Sequence, residues 1–170
     1  MVSSEELIRA FNSQVGNEMG ASLLYVSIAA YFDTEDLEQL AAFFYRQAEE
    51  ERDHAMRFVK YIVDAGGQLE IPALEAPDNE FESAEAAVAM ALSSEEKVTE
   101  QVYALVEIAQ NDRDHIAQRF LDWFVNEQFE EVATMNALLS VVRRAGNANL
   151  LLVEDYLVRR GDPHADEGSA

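Results

Sequence analysis

The sequence predicts an all-α protein, built as a four-helix bundle with one long crossover and a short fifth C-terminal helix. Two observations lead to this prediction. Apolar residues recur at three- and four-residue spacing over four long segments, and a polar segment with two prolines separates the second from the third. The chain has 170 residues, 49% of them hydrophobic, which is enough for a substantial core.

The helix boundaries follow from capping and breaking residues. The predicted helices lie at about 4–32, 35–65, 84–110, 112–145 and 148–160. Ser3 begins a capping-box pattern before the first helix, and Thr34 and Ser83 are the predicted N-caps of the second and third. Glycines that favour a helix stop follow the second helix at Gly66 and the fourth at Gly146.

The connections between the helices indicate the topology. Short links make the first and second helices, and the third and fourth, antiparallel hairpins. The segment 67–82 could span roughly 50 Å when extended, whereas the helices it joins are about 42 Å long. It can therefore run the whole length of the bundle and place the second and third helices parallel. We expect a single domain over 1–160 and a polar tail over 161–170.

Composition narrows the classes of partner. The formal net charge is -21, from 33 acidic and 12 basic residues, which disfavours nucleic acid and favours cations. An acidic surface that aids solubility is the plainer interpretation of the same charge. There is no cysteine, which excludes thiolate sites and fits a reducing compartment. Since no signal peptide or long apolar run is present, we expect a cytoplasmic protein with no membrane partner.

Polar residues interrupt each of the four apolar stripes near its midpoint. The interruptions, in chain order, are Glu18, Glu51, His54, Glu95, Gln128 and Glu131. On the second helix Glu51 and His54 are three residues apart, so they share the inward face, and Glu50 lies at the edge of that face. Acidic or amide side chains are therefore expected at one depth on all four helices.

Several buried carboxylates at one depth are costly, because each must be desolvated and like charges repel. A buried cation would offset both costs, whereas carboxylates satisfied by hydrogen bonds alone are the alternative. A carboxylate-rich site with one imidazole and no sulfur favours iron or manganese. More carboxylates are present than one ion needs, which favours a dinuclear site.

These residues resemble the ferroxidase centre of the bacterial non-haem ferritins, within the ferritin-like di-iron superfamily. The matching segments are LLY at 23–25, EEERDH at 49–54, EEKVT at 95–99 and WFVNEQFEE at 123–131. The resemblance covers nearly the whole chain. It implies an iron-storage protein that oxidises Fe(II) with dioxygen or peroxide and keeps Fe(III) mineral inside a hollow shell of twenty-four identical subunits.

The resemblance also implies the roles of individual residues in a paired iron site. Glu18, Glu51 and His54 would hold the first iron. Glu51 and Glu95 would hold the second, with Gln128 close by.

A third, weaker iron site is implied beside the paired one, towards the interior of the shell. Its residues would be Glu50, Glu127 and Glu130, with Glu131 as a further candidate. Tyr25 stands where the family has a tyrosine thought to take part in the redox step, although an ordinary core position is the plainer interpretation of this aromatic residue.

Two departures separate this chain from neighbouring families. A symmetric di-iron bundle has a second E-x-x-H motif on the fourth helix, whereas here Gln128 and Glu131 stand at that spacing with no histidine. The second iron should therefore be held less firmly, as suits iron in transit. Bacterioferritins have a haem-binding methionine where this chain has Arg52, so we expect no haem.

Other functions and other sites stay open at this stage. A di-iron oxidase acting on an organic substrate, or a metal-free helical bundle that binds a partner, would share the same helices. Asp112, Asp114 and Asp122 could line an iron pore, but acids at a helix start are more often capping features. Trp123 is expected in the core, and His164 lies in the polar tail.

Overall fold

The computed structural model describes residues 3–161, and every regular element in that range is helical. The elements are α1 (Glu5–Thr34), α2 (Glu38–Asp64), α3 (Ala84–Asn111), α4 (His115–Ala145), a 3-10 turn (Asn147–Asn149) and α5 (Leu151–Arg160). The predicted fold class, four long helices with a short fifth, is confirmed. None of the helices between residues 3 and 161 combines the length and the apolar character that a bilayer-spanning segment needs.

The core consists of two hydrophobic clusters, one at each end of the bundle. In one of them the rings of Phe32 and Phe44 stack with centroids 5.7 Å apart. In the other, Phe58 and Phe124 stack at 4.3 Å and Phe11 meets Phe58 edge to face at 5.1 Å. On each long helix the two clusters are separated by the polar interruptions described above, which therefore form a layer across the middle of the bundle.

Two predicted caps were wrong, and the structure shows why. Ser4, not Ser3, caps α1, because its hydroxyl accepts the Leu7 N–H at 3.1 Å. Ser3 is buried instead. Thr34 is the last residue of α1 and donates its hydroxyl to the Tyr31 carbonyl at 2.8 Å, so it cannot cap the next helix. The left-handed residue Asp36 (φ 58°) then turns the chain, and α2 begins later than predicted.

The second hairpin follows the prediction more closely. Ser83 caps α3, as expected, by accepting the Ala86 N–H at 3.1 Å. Helix α4 begins at His115, later than predicted, because the Asp114 carboxylate is its N-cap. Gly146 follows α4 with a positive φ of 65°, the conformation that favours glycine at a helix stop.

The crossover 67–82 lies along α1 and is attached to it at several points. The Asn12 side chain donates to the Gln68 carbonyl at 2.9 Å and accepts the Glu70 N–H at 2.7 Å. One turn further on, a Cβ at Gly16 would collide with the Pro72 ring, so this position requires glycine. These contacts satisfy backbone groups that a long irregular segment leaves without helical partners.

Helix α5 is held against the start of α2 by a carboxylate. Glu154 of α5 accepts the N–H groups of Gln39 at 2.7 Å and Leu40 at 2.9 Å. The N-cap of α2 itself, Leu37, offers no side-chain hydrogen bond, so Glu154 supplies the cap from another helix. Val153 is fully buried beside this contact. The cap therefore fixes where the last helix lies.

We predict that Glu154→Ala lowers the free energy of unfolding by about 1 kcal/mol, the usual cost of losing an N-cap. The matched control is Asp155→Ala, because Asp155 is the next residue on α5 and is exposed. Thermal melting of both variants, in parallel with the parent protein, measures the difference. Equal melting temperatures for the two variants would show that the carboxylate cap contributes nothing.

Candidate metal centre

Three potential metal ligands from α1 and α2 converge in the middle of the bundle. Ligand atoms of Glu18, Glu51 and His54 all lie within 4.8 Å of one another. The three side chains are 0%, 1% and 4% exposed, so the cluster is shielded from bulk water. His54 Nδ1 lies 3.5 Å from Glu51 Oε2. The inward-facing residues predicted on the first and second helices are thus close enough to share a metal ion.

Glu95 of α3 accepts hydrogen bonds from side chains of α1 and α4. Glu95 accepts a hydrogen bond from the Tyr25 hydroxyl and another from Gln128 Nε2 at 3.0 Å. Burial raises the pKa of Tyr25 well above its usual value, so the phenol keeps the proton that it donates. Thr99 donates to the backbone carbonyl of Glu95 at 2.8 Å. The structure therefore brings Glu95, Gln128 and Tyr25 together as one hydrogen-bonded group.

Aromatic side chains enclose His54. Trp123 meets the imidazole edge to face with ring centroids 5.4 Å apart, and Phe124 does so at 5.9 Å. The Arg57 guanidinium lies 3.8 Å from the centre of the Trp123 ring, a cation–π contact. Trp123, expected in the core, is half-buried in this position.

The residues proposed for a third site lie at different depths. Glu131 is 1% exposed, and the charges of Glu95, Glu50 and Glu127 all act on it. Glu50 and Glu127 are half-buried, whereas Glu130 is exposed. Glu127 Oε1 also lies 3.9 Å from His54 Nε2. The charges that act on Glu131 thus come from residues of both predicted sites, and the grouping that includes Glu130 stays a prediction.

Sequence reasoning missed one residue that contacts the cluster directly. Gln14 is buried on α1, and its Nε2 donates to Glu18 Oε1 at 2.9 Å. The spacing of four residues, which places Gln14 and Glu18 on the same helix face, was the signal that could have identified it.

The other acidic and imidazole candidates have local explanations. Asp114 caps α4, and Asp112 accepts a hydrogen bond from the Ser4 hydroxyl. Asp122 is exposed, as is His115, the first residue of α4. His164 lies outside the described residues.

Burial dominates the electrostatics of the cluster. It raises the pKa of Glu18 to about 7, although the contact with Glu51 and the hydrogen bond from Gln14 both lower it. Burial, together with the charges of Glu95 and Glu18, raises the pKa of Glu51 well above its usual value. The pKa values of Glu95 and Glu131 are also raised, mainly by burial. Without a cation, the cluster therefore resists carrying its full negative charge at neutral pH.

The donor atoms fit a metal ion. Among the described residues, no hydrogen-bond partner reaches Glu18 Oε2, either carboxylate oxygen of Glu51 or Gln128 Oε1, although all are buried. Buried polar atoms normally have partners, so such a group of oxygens needs an explanation. Oxygen donors with one imidazole suit iron, and a cation would also neutralise the carboxylates.

Residues 8–145 match the ferritin-like domain family. The chain belongs to the ferritin-like family. Ferritin BfrB of Mycobacterium tuberculosis is 44% identical over 163 residues, which cover 91% of this chain and 90% of that protein. The bacterial non-heme ferritin of Staphylococcus aureus is 39% identical over 144 residues, covering 85% and 87%. The resemblance to ferritins found in the sequence is confirmed.

Solved ferritin structures share the fold. An open pore ferritin from the hyperthermophilic archaeon Archaeoglobus fulgidus superimposes with a TM-score of 0.89 at 32% sequence identity. The alignment covers 94% of this chain and 99% of that one. The helix arrangement that carries the polar layer is thus that of a ferritin subunit.

We predict that Glu51→Gln stabilises the metal-free protein at neutral pH, by on the order of 1 kcal/mol. The pKa of Glu51 is higher in the folded protein than in the unfolded chain, so folding takes up a proton. The free energy of unfolding of the parent protein therefore falls as the pH rises above the pKa that Glu51 has in the unfolded chain, whereas a glutamine does not titrate. The gain in melting temperature should therefore grow from pH about 5 to about 8.

The matched control is Glu49→Gln, since Glu49 is exposed on the same helix. Both variants are melted in the presence of a chelator. A Glu51→Gln protein that melts below the parent, or does not fold, would instead make Glu51 a structural carboxylate satisfied by hydrogen bonds.

Proposed function

We propose that this protein stores iron and has ferroxidase activity, with residues 1–160 acting as one domain. Fe(II), the substrate, would be oxidised by dioxygen or peroxide at a centre within each subunit, and Fe(III) would be kept as mineral in a hollow shell. The observation that carries the proposal is the buried group of Glu18, Glu51 and His54, whose ligand atoms lie within 4.8 Å of one another. Membership of the ferritin-like family supports it.

The proposed ligands divide between two iron positions. Glu18, Glu51 and His54 would hold one iron, and Glu51 with Glu95 would hold the other, near Gln128. The lack of hydrogen-bond donors to the Glu51 oxygens supports its place between the two, because both oxygens are available. Each bound cation would replace the protons that burial otherwise keeps on these carboxyl groups.

The α4 side of the site favours iron in transit over a permanent cofactor. Gln128 supplies a neutral amide where a symmetric di-iron bundle has the glutamate of its second Glu-x-x-His motif, and its Nε2 already donates to Glu95. A weaker ligand set on this side would let oxidised iron leave. We propose that Tyr25, through its hydrogen bond to Glu95, takes part in the redox step.

A third, weaker site is proposed at the edge of the bundle. Glu50, Glu127 and Glu130 would form it, and Glu131 would connect it to the paired site. The burial of Glu131, and its electrostatic interaction with Glu95, Glu50 and Glu127, support a continuous path of carboxylates away from the centre. Iron(III) leaving the paired site would move along this path.

We also propose a homo-oligomeric shell of twenty-four subunits. Helix α5 leaves Leu151 73%, Leu152 59% and Val158 63% exposed, and Phe129 of α4 is 80% exposed. Large apolar side chains that are exposed on the surface of α4 and α5 favour contacts with further copies of the chain. A cytoplasmic location and the absence of haem, inferred from Arg52, stay predictions.

The assembly has a direct test. Light scattering and native mass measurement of the purified protein at neutral pH should show a closed particle much larger than one subunit. Leu151→Glu with Leu152→Glu should shift the population towards smaller species, because charges replace an apolar contact face. A parent protein that is monomeric or dimeric under all conditions would contradict the shell.

The ferroxidase activity is tested by stopped-flow oxidation of Fe(II). We predict that Glu51→Gln slows the rapid phase about tenfold or more, since one ligand of both irons loses its charge. Slow mineral growth on acidic surface groups should persist. Glu49→Gln should oxidise iron at the parent rate, and a Glu51→Gln variant that also does so would refute the site.

A further inference from the structure

A line of hydrogen-bonded amides joins Glu18 to the edge of the bundle. Gln14, 2% exposed, donates from Nε2 to Glu18 Oε1 at 2.9 Å. Asn17 in turn donates from Nδ2 to Gln14 Oε1 at 3.1 Å. Gln101 of α3 places its Oε1 3.4 Å from the same Gln14 nitrogen. Asn17 and Gln101 both line an open groove of about 800 Å³ beneath the crossover.

The three partners fix which way the Gln14 amide points. An amide has a donor end and an acceptor end, and an ionised Glu18, the form that would bind a metal, only accepts, so the donor end of Gln14 faces it. With Nε2 towards Glu18 and Gln101, each close contact joins a donor to an acceptor. The reverse orientation would set the Gln14 oxygen against the Glu18 carboxylate and the Gln101 oxygen, and the Gln14 nitrogen against the Asn17 nitrogen.

This orientation makes the two oxygens of Glu18 unequal. Oε1 accepts the Gln14 hydrogen bond, whereas no hydrogen-bond partner reaches the buried Oε2 among residues 3–161. We propose that Gln14, held in place by Asn17, is a positioning residue that makes Glu18 present Oε2 alone to the metal. The inference rests on the proposed iron site and adds two residues to it.

A purely structural role for Gln14 would have different consequences. In that case Gln14 only satisfies a buried carboxylate, and changing its orientation would alter stability without altering how a metal is held. Metal affinity and a metal spectrum separate the two roles. Trp123 is the only tryptophan in the sequence and lies 5.4 Å from the His54 ring, so its fluorescence should report metal occupancy.

The decisive variant is Asn17→Asp, which keeps the shape of a half-buried side chain. A carboxylate cannot donate to Gln14 Oε1 but attracts Gln14 Nε2, so the amide turns and presents its oxygen to Glu18. The positioning role therefore predicts weaker metal binding. The added negative charge alone would make cation binding tighter, so the two effects have opposite signs.

The experiment titrates the metal-free, full-length protein with Co²⁺ and follows Trp123 fluorescence and the visible Co²⁺ absorption. We expect Asn17→Asp to bind Co²⁺ about tenfold more weakly, as is typical for the loss of a residue that orients a metal ligand, with a changed absorption band. Ser13→Asp adds the same charge at an exposed position one turn away and should keep the parent spectrum and affinity, or bind slightly tighter.

A second variant tests whether Gln14 acts through Glu18. Gln14→Leu should also weaken Co²⁺ binding, whereas Gln110→Leu, at an exposed helical glutamine, should not. In a Glu18→Ala background the effect of Gln14→Leu should vanish, because the residue it orients is gone. If Gln14→Leu does not fold, Asn17→Asp decides the question alone.

Two results would overturn the positioning role. One is an Asn17→Asp protein that binds Co²⁺ like Ser13→Asp, with the parent spectrum. The other is a loss from Gln14→Leu that stays undiminished in the Glu18→Ala background. Failure of the iron site itself would look different: Co²⁺ would leave the fluorescence and absorption of the parent protein unchanged, or Glu51→Gln would bind it as the parent does.

Discussion

The structure depends on one constraint, the burial of several like charges in a layer between two apolar clusters. The clusters on either side pack tightly, with Phe32 on Phe44 in one and Phe58 on Phe124 in the other. Packing on both sides holds the helices in register, so the carboxylates cannot turn to solvent. Burial then raises their pKa values, and the layer is satisfied either by protons or by a cation. The proposed iron site depends on a cation replacing those protons.

The buried carboxylates of the layer differ in how many hydrogen-bond donors surround them. Helices α1 and α2 bring Glu18 and Glu51 to an imidazole, with oxygen atoms that few protein groups contact. Glu95 of α3 is instead surrounded by hydrogen-bond donors, Tyr25 from α1 and Gln128 from α4. The group on α1 and α2 therefore depends more on a cation than Glu95 does. An asymmetric site of this kind agrees with the proposed function, in which iron binds, is oxidised and leaves.

Side-chain hydrogen bonds hold the last helix and the crossover against the long helices. Glu154 caps α2 from α5, and Asn12 holds the start of the crossover against α1. Both contacts use side chains to satisfy backbone groups without helical partners: Glu154 accepts N–H groups at the start of α2, and Asn12 pairs with the Gln68 carbonyl and the Glu70 N–H of the crossover. They couple the last helix and the crossover to the hairpin that carries Glu18 and Glu51. The site and the outer surface are thus parts of one packed unit.

The sequence by itself determined the bundle and its inward polar residues. Helical periodicity places Glu18, Glu51 and Glu95 on apolar stripes, and periodicity is a local property that spacing reveals. Tertiary structure alone decided that Thr34 ends a helix, that Glu154 of α5 caps α2, and that Tyr25 of α1 and Gln128 of α4 both donate to Glu95. Those outcomes depend on how the helices rotate against one another and on side-chain rotamers, which the spacing of residues along a single chain does not contain.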